Sequence, residues 1–167
     1  MRWTVLPSPV GDLTVARTDA GIAGVWFADH RGGVSETLAD SDRDGSGAAF
    51  GDVREQLGEY FDGRRTTFDL PLAPRGDAFA RRVWDALREI PYGTTWSYGD
   101  IARRLGGIGH SQAVGVANGR NPISIVVPCH RVVGHDGALV GYAGGLWRKR
   151  FLLDLEEPSA DEGGRLF

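Results

Sequence analysis

The chain carries one cysteine, Cys129, in the run Ile123-Ser-Ile-Val-Val-Pro-Cys-His-Arg-Val-Val133, and His130 and Arg131 follow it directly. A thiol is a strong nucleophile only as the thiolate, and a paired imidazole or a nearby cation favours that form. His130 and Arg131 offer one of each. A lone Cys-His dipeptide also fits a buried thiol that packs as a small hydrophobe, so the pair alone leaves both roles open.

Several elements have to position these groups. Ile123 to Val127 has the length of a buried strand, and Pro128, which cannot donate a ladder hydrogen bond, should end it with Cys129 at the mouth of the core. Upstream, Phe79, Val83, Leu87 and Ile90 mark one face of a helix stopped by Pro91 and Gly93. Ser97 and Asp100 form a capping box that opens a helix through Ile101, Ala102 and Leu105. After the turn Gly106 to Gly109, Ser111 reads as the cap of a third helix through Ala113, Val114 and Ala117, and the two short helices make a helix-turn-helix candidate. The small side chains of Ala113, Gly115, Val116 and Ala117 suit either tight helix packing or entry into a narrow groove.

The first part of the chain reads as a small α/β unit. Arg2 to Leu6, Asp12 to Arg17 and Ile22 to Phe27 predict an antiparallel meander, and Phe50, Val53, Leu57 and Phe61 predict a helix that Gly63 stops. His30 to Gly47 reads as a mobile surface loop, Thr66 to Leu70 as a further strand, and Pro71 to Gly76 as a linker. The expected division is 1–75, 76–157 and a tail at 158–167.

With 167 residues, 41% hydrophobic and 25% charged, the composition is that of a soluble globular protein. No run approaches the roughly 20 apolar residues of a membrane span, and the N-terminus lacks a signal-peptide apolar region. One cysteine excludes an internal disulfide, and a reducing compartment would keep its thiol, so a cytoplasmic location is expected. The net charge of -3 conceals an asymmetry: residues 77–156 hold ten basic and seven acidic residues, a net +3, and the remainder carries -6. The basic excess falls on the half that carries the cysteine, which removes the objection that an acidic protein should avoid DNA.

The stretch Asn118-Gly-Arg-Asn-Pro-Ile-Ser-Ile-Val-Val-Pro-Cys-His-Arg-Val-Val-Gly134 resembles the active-site signature of the O6-alkylguanine-DNA alkyltransferases, also called methylated-DNA-protein-cysteine methyltransferases. Further matches are Thr95-Trp-Ser-Tyr-Gly-Asp-Ile-Ala102, Gly141-Tyr-Ala-Gly-Gly-Leu-Trp-Arg-Lys149 and Leu152-Leu-Asp-Leu-Glu156. The resemblance is dense from Phe79 to Glu156 and thin before it, where Ser8 to Thr14 is the best fragment. It implies an α/β N-terminal unit of ribonuclease-H-like fold, without a nuclease's catalytic role, and a mainly α, winged-helix-like C-terminal domain whose helix-turn-helix enters the minor groove.

The implied activity is single-turnover repair of duplex DNA, in which an alkyl group on O6 of guanine passes irreversibly to Cys129 after the base is flipped out. By the same resemblance His130 acts through a bound water as the base and Glu156 orients it. Tyr98 donates to the guanine ring and Lys149, the one lysine of the chain, supports the departing base. Carbonyls of Cys129 and Val132 would accept from the guanine amino group, the Ala143 N–H would donate to O6, Tyr142 would wall the pocket, and Asn121 would brace the turn beneath. Ser111, Gln112, Ala113, Ala117 and Arg131 are the expected DNA-contacting residues. Gln112 stands where the family commonly has an intercalating arginine, which predicts weaker duplex affinity.

No cofactor motif appears, and His30, His110, His130 and His135 lack cysteine partners and close ligand spacing, so neither a cofactor nor a metal is expected. Two other readings use the same residues. A cysteine hydrolase built on Cys129, His130 and Glu156 would turn over repeatedly, but adjacent Cys and His rarely meet side to side, and no oxyanion-hole motif is evident. A recognition module for alkylated guanine would not need the sulfur. The residues leave open the alkyl groups accepted, O4-alkylthymine repair and cooperative self-association on DNA.

Overall fold

The computed structural model describes residues 1–29 and 38–157. Part of the expected loop at 30–47 and the whole tail at 158–167 lie outside the described residues.

Three strands, β1 (Arg2–Leu6), β2 (Leu13–Thr18) and β3 (Gly21–Phe27), form the expected antiparallel meander, with Leu6 opposite Leu13 and Leu13 opposite Phe27. Every residue of β3 is buried, so this strand is covered on both faces. Helix α1 (Gly51–Phe61) buries Val53, Leu57 and Tyr60, and Gly63, at φ 77°, adopts the left-handed conformation that follows its last turn. The described end of the loop before α1 is tied down rather than loose: Asp44 N–H donates to the Trp3 carbonyl at 2.7 Å, and the Trp3 indole donates to the Ala39 carbonyl at 2.8 Å.

The outer edge of β3 is where the two halves of the chain join. Leu72 pairs in parallel with Ile22, and Ile123 pairs in parallel with Val25. Both pairings cover backbone groups that an edge strand would otherwise expose. The strand expected at Thr66 to Leu70 does not form; the hydrogen bonds it would have made fall later, on the linker at Pro71 and Ala73.

The second half holds α2 (Ala78–Leu87), β4 (Trp96–Ser97), α3 (Tyr98–Arg104), α4 (Ser111–Gly119), β5 (Val132–Val133) and α5 (Leu146–Glu156). Asp77 caps α2 by accepting from Ala80 N at 2.8 Å. The capping box at α3 is complete: Ser97 Oγ accepts from Asp100 N, and Asp100 Oδ2 accepts from Ser97 N. Ser111 does not cap α4 as expected; it is the first helical residue, behind His110. Helices α2, α3 and α4 pack on one another, and the Trp84 indole donates to the Ala117 carbonyl at 2.9 Å.

The segment Ile123 to Val127 is buried as expected but is not a strand. Only Ile123 pairs, after which the chain turns, with Ile125 at φ 72°. Asn121 imposes this turn: its Oδ1 accepts from Ile123 N at 3.0 Å and its Nδ2 donates to the Val127 carbonyl at 2.9 Å. An Asx-type bond of this kind competes with a ladder, and here it wins over β-branched propensity.

Candidate active site

The Asn121 turn delivers Pro128 and then a short 3-10 turn, Cys129–Arg131, whose three side chains are all buried but point into different surroundings. Cys129 lies on a cleft of about 240 Å³ lined by Tyr98, Gly115, Asn118, Gly119, Asn121, Ser124, Gly141, Tyr142 and Ala143. Burial pushes its thiol up from the ordinary value, against the Asn121 amide, the Lys149 charge and the Tyr142 hydroxyl, which favour the thiolate. The resting group is therefore a neutral thiol.

His130 is fully enclosed, with Nε2 2.6 Å from Glu156 Oε2 and no partner for Nδ1 among the described residues. Burial lowers the His130 imidazole below its ordinary value, although Glu156 pulls the other way. A neutral ring facing an acceptor-only carboxylate carries its proton on Nε2, so Nδ1 holds a free lone pair. Burial pushes Glu156 up, but the hydrogen bonds from His130 and Arg131 and the Arg131 charge prevail and hold it at about 2.

The structure corrects the expected role of Arg131. Its guanidinium donates Nε to Glu156 Oε1 at 2.6 Å, Nη2 to Oε2 at 3.1 Å and Nη1 to the Ile90 carbonyl at 2.8 Å. It is buried, with Nε and both terminal nitrogens engaged, so it is a counter-ion to Glu156, not a DNA contact. The cation that favours the Cys129 thiolate is Lys149, buried behind the cleft with Nζ donating to the Val140 carbonyl at 2.7 Å and lowered by burial to about 8. Lys149→Met is therefore expected to move the reaction of Cys129 with iodoacetamide to higher pH, read as adduct mass against pH. An unchanged midpoint would show that the lysine only ties down the Val140–Gly141 backbone.

Tyr98, Asn121, Tyr142 and Ala143 lie on the cleft with Cys129. His130, Glu156 and Val132 are buried and do not line it, Val132 lying in the β4–β5 pair. Burial and the Cys129 sulfur raise the Tyr98 hydroxyl, which keeps it a proton donor. On α4, Gln112 and Ala113 are exposed and Ser111 is half-buried, but Ala117 is 4% exposed and faces α2, which removes it from the expected DNA contacts. Arg148, adjacent to Lys149, is buried against Val10, Asp29 and Gly144.

Sequence reasoning missed Tyr60, whose hydroxyl donates to Glu156 Oε2 at 2.5 Å across 96 residues of chain. It also missed Asn118, Ser124 and the glycines that shape the cleft. A helical tyrosine spaced with Val53 and Leu57 carries no signal beyond core packing. Gly144 is legible only in three dimensions: a Cβ there would sit 2.5 Å from the Phe27 ring.

A thiol on a cleft, followed in the same turn by an imidazole held by a buried carboxylate, is the residue set of a protein with a cysteine nucleophile. The ribonuclease-like domain model of 6-O-methylguanine DNA methyltransferase matches residues 1–74, and the DNA binding domain model of the same name matches 78–158. A methylated-DNA-protein-cysteine methyltransferase of Mycolicibacterium paratuberculosis is 46% identical over 168 residues, covering all of this chain and 99% of that relative. One from Methanosarcina acetivorans is 45% identical over 93% of this chain and 98% of its own. The crystal structure of Mycobacterium tuberculosis OGT in complex with DNA superposes with a TM-score of 0.85 at 44% identity, covering 93% of each chain. The chain belongs to the 6-O-methylguanine DNA methyltransferase family, with a ribonuclease-like domain followed by a DNA-binding domain.

Proposed function

We propose that this protein repairs alkylated duplex DNA by one irreversible transfer of the alkyl group from O6 of guanine to Cys129. The observation that carries this reading is the placement of Cys129 on an open cleft, in the same three-residue turn as His130, which is bonded to Glu156. In the reaction His130 Nδ1 takes the thiol proton through a solvent molecule, and sulfur attacks the alkyl carbon. The carbon–O6 bond breaks with its electron pair going to the base, and a proton returns to the guanine ring to give neutral guanine and a thioether. Tyr98, held protonated, donates to the ring, and Tyr142 and Ala143 wall the base. The chain has no second thiol to resolve the thioether, so each molecule acts once.

The target atom is inaccessible in a stacked duplex, so the nucleotide must be rotated into the cleft at a cost of a few kcal/mol. Helices α3 and α4 act as a helix-turn-helix in a winged-helix-like domain, with α4 presenting Gln112, Ala113 and Val116 to the minor groove. Gln112 fills the vacated space without a charge. Gln112→Arg is therefore expected to tighten duplex binding and steepen its salt dependence by about one counterion. Equal affinity and equal salt slope for the two proteins would remove Gln112 from the interface.

The deciding experiment is intact-protein mass and peptide mapping after mixing with an excess of duplex carrying one O6-methylguanine. One methyl increment on Cys129, matched by loss of one lesion and no turnover, is the expected result. Lesion binding with an unmodified protein would establish a recognition module instead.

A further inference from the structure

Building on the transfer reading, we infer that Tyr60 is a positioning residue of the alkyl-transfer site: from the first domain, its hydroxyl fixes the Glu156 carboxylate and, through it, the tautomer and aim of His130. Tyr60 lies on α1 with its ring fully buried against Phe61, Phe68 and Tyr92. Phenylalanine would fill that space equally well. A buried hydroxyl is costly unless it is bonded, and the bond it makes is to Glu156 Oε2, the same oxygen that His130 Nε2 meets.

The geometry makes the three groups one unit. Oε1 is held by Arg131 Nε, and Oε2 gathers Tyr60 O–H, His130 Nε2–H and the longer Arg131 Nη2 contact. Arg131 fixes the carboxylate from the Ile90 side, and Tyr60 fixes it from the other domain. Burial and Glu156 hold the Tyr60 hydroxyl well above the ordinary range, so it stays a donor throughout the working pH range. A permanent donor on Oε2 disperses the charge that His130 faces. The other ionisable neighbours of this unit are Lys149 of α5 and Tyr142, while Tyr92 lies under the Arg131 guanidinium.

The experiment follows single-turnover methyl transfer from an O6-methylguanine duplex, across about pH 5.5 to 9, for wild type, Tyr60→Phe, Glu156→Gln and the double variant. Tyr60→Phe is expected to slow transfer about tenfold and to move the acid limb of the profile to higher pH, because the undispersed carboxylate favours protonated imidazole. The double variant is expected to be no slower than Glu156→Gln alone, because the hydroxyl acts through that carboxylate. Val53→Ala, a buried change elsewhere on α1, is expected to lower Tm without moving the profile. Wild-type rates for Tyr60→Phe at every pH, losses that multiply in the double variant, or a shifted limb in Val53→Ala would each reduce Tyr60 to packing and overturn the inference. A wild type that transfers nothing to Cys129 would instead overturn the transfer reading itself, and the inference with it.

Discussion

Cys129→Ser is expected to abolish alkyl transfer, lowering the rate by at least about three orders of magnitude, while the protein still folds and still binds duplex carrying the lesion. Serine is nearly isosteric in a site that is already 5% exposed, so the Asn121 turn and the cleft walls have no reason to move. What changes is the nucleophile. The thiol is already raised by burial, and Asn121, Lys149 and Tyr142 act against that rise by favouring its charged form. A serine hydroxyl in the same surroundings is a far weaker nucleophile toward an alkyl carbon than a thiolate. Mass spectrometry reads the missing methyl increment, and a gel-shift with lesion and control duplexes reads the binding. Residual methylation mapping elsewhere on the chain would move the nucleophile away from Cys129.

Glu156→Gln is expected to cost about 3–5 kcal/mol, because it strands the buried Arg131 charge and leaves one acceptor oxygen where two now serve Tyr60, His130 and Arg131. That is a large part of the 5–15 kcal/mol of a typical domain. The acid response should change as well. Glu156 is held at about 2 against an ordinary 4.5, so its contribution, on the order of 3 kcal/mol, is complete above about pH 4.5 and is lost as pH falls toward 2. His130, lowered by burial, acts in the same direction: below its ordinary 6.5 the unfolded chain takes up a proton that the folded chain refuses. Wild-type Tm should therefore fall progressively as pH drops from about 6.5, and the variant, lower at neutral pH, should lose the steep segment between about 4.5 and 2. Parallel curves for the two proteins would show that Arg131 keeps a partner when Glu156 is neutralised.

Much of the fold was legible because it rests on local rules. The meander follows from alternation and turn residues, the α3 start from Ser97 and Asp100, and the end of α1 from Gly63. The misreadings share one cause. Ile123 to Val127 has strand composition, yet a single side chain, Asn121, folds it into a turn. Ser111 has cap chemistry but sits one residue inside its helix, and Ala117 has the size for a groove but is buried, its carbonyl accepting from the Trp84 indole.

The residue types around the cysteine, by themselves, determined the chemistry: one thiol, a following imidazole, and a motif long enough to mark the family. Only the tertiary structure decided how the charges are shared. Arg131 was assigned to DNA and proves to be the counter-ion of Glu156, while Lys149 is the cation that favours the thiolate. Tyr60 enters the site from another domain. Sequence fixes which groups are present, but in a buried site their charges and protons depend on which neighbours desolvate and bond them, and those neighbours come from distant parts of the chain.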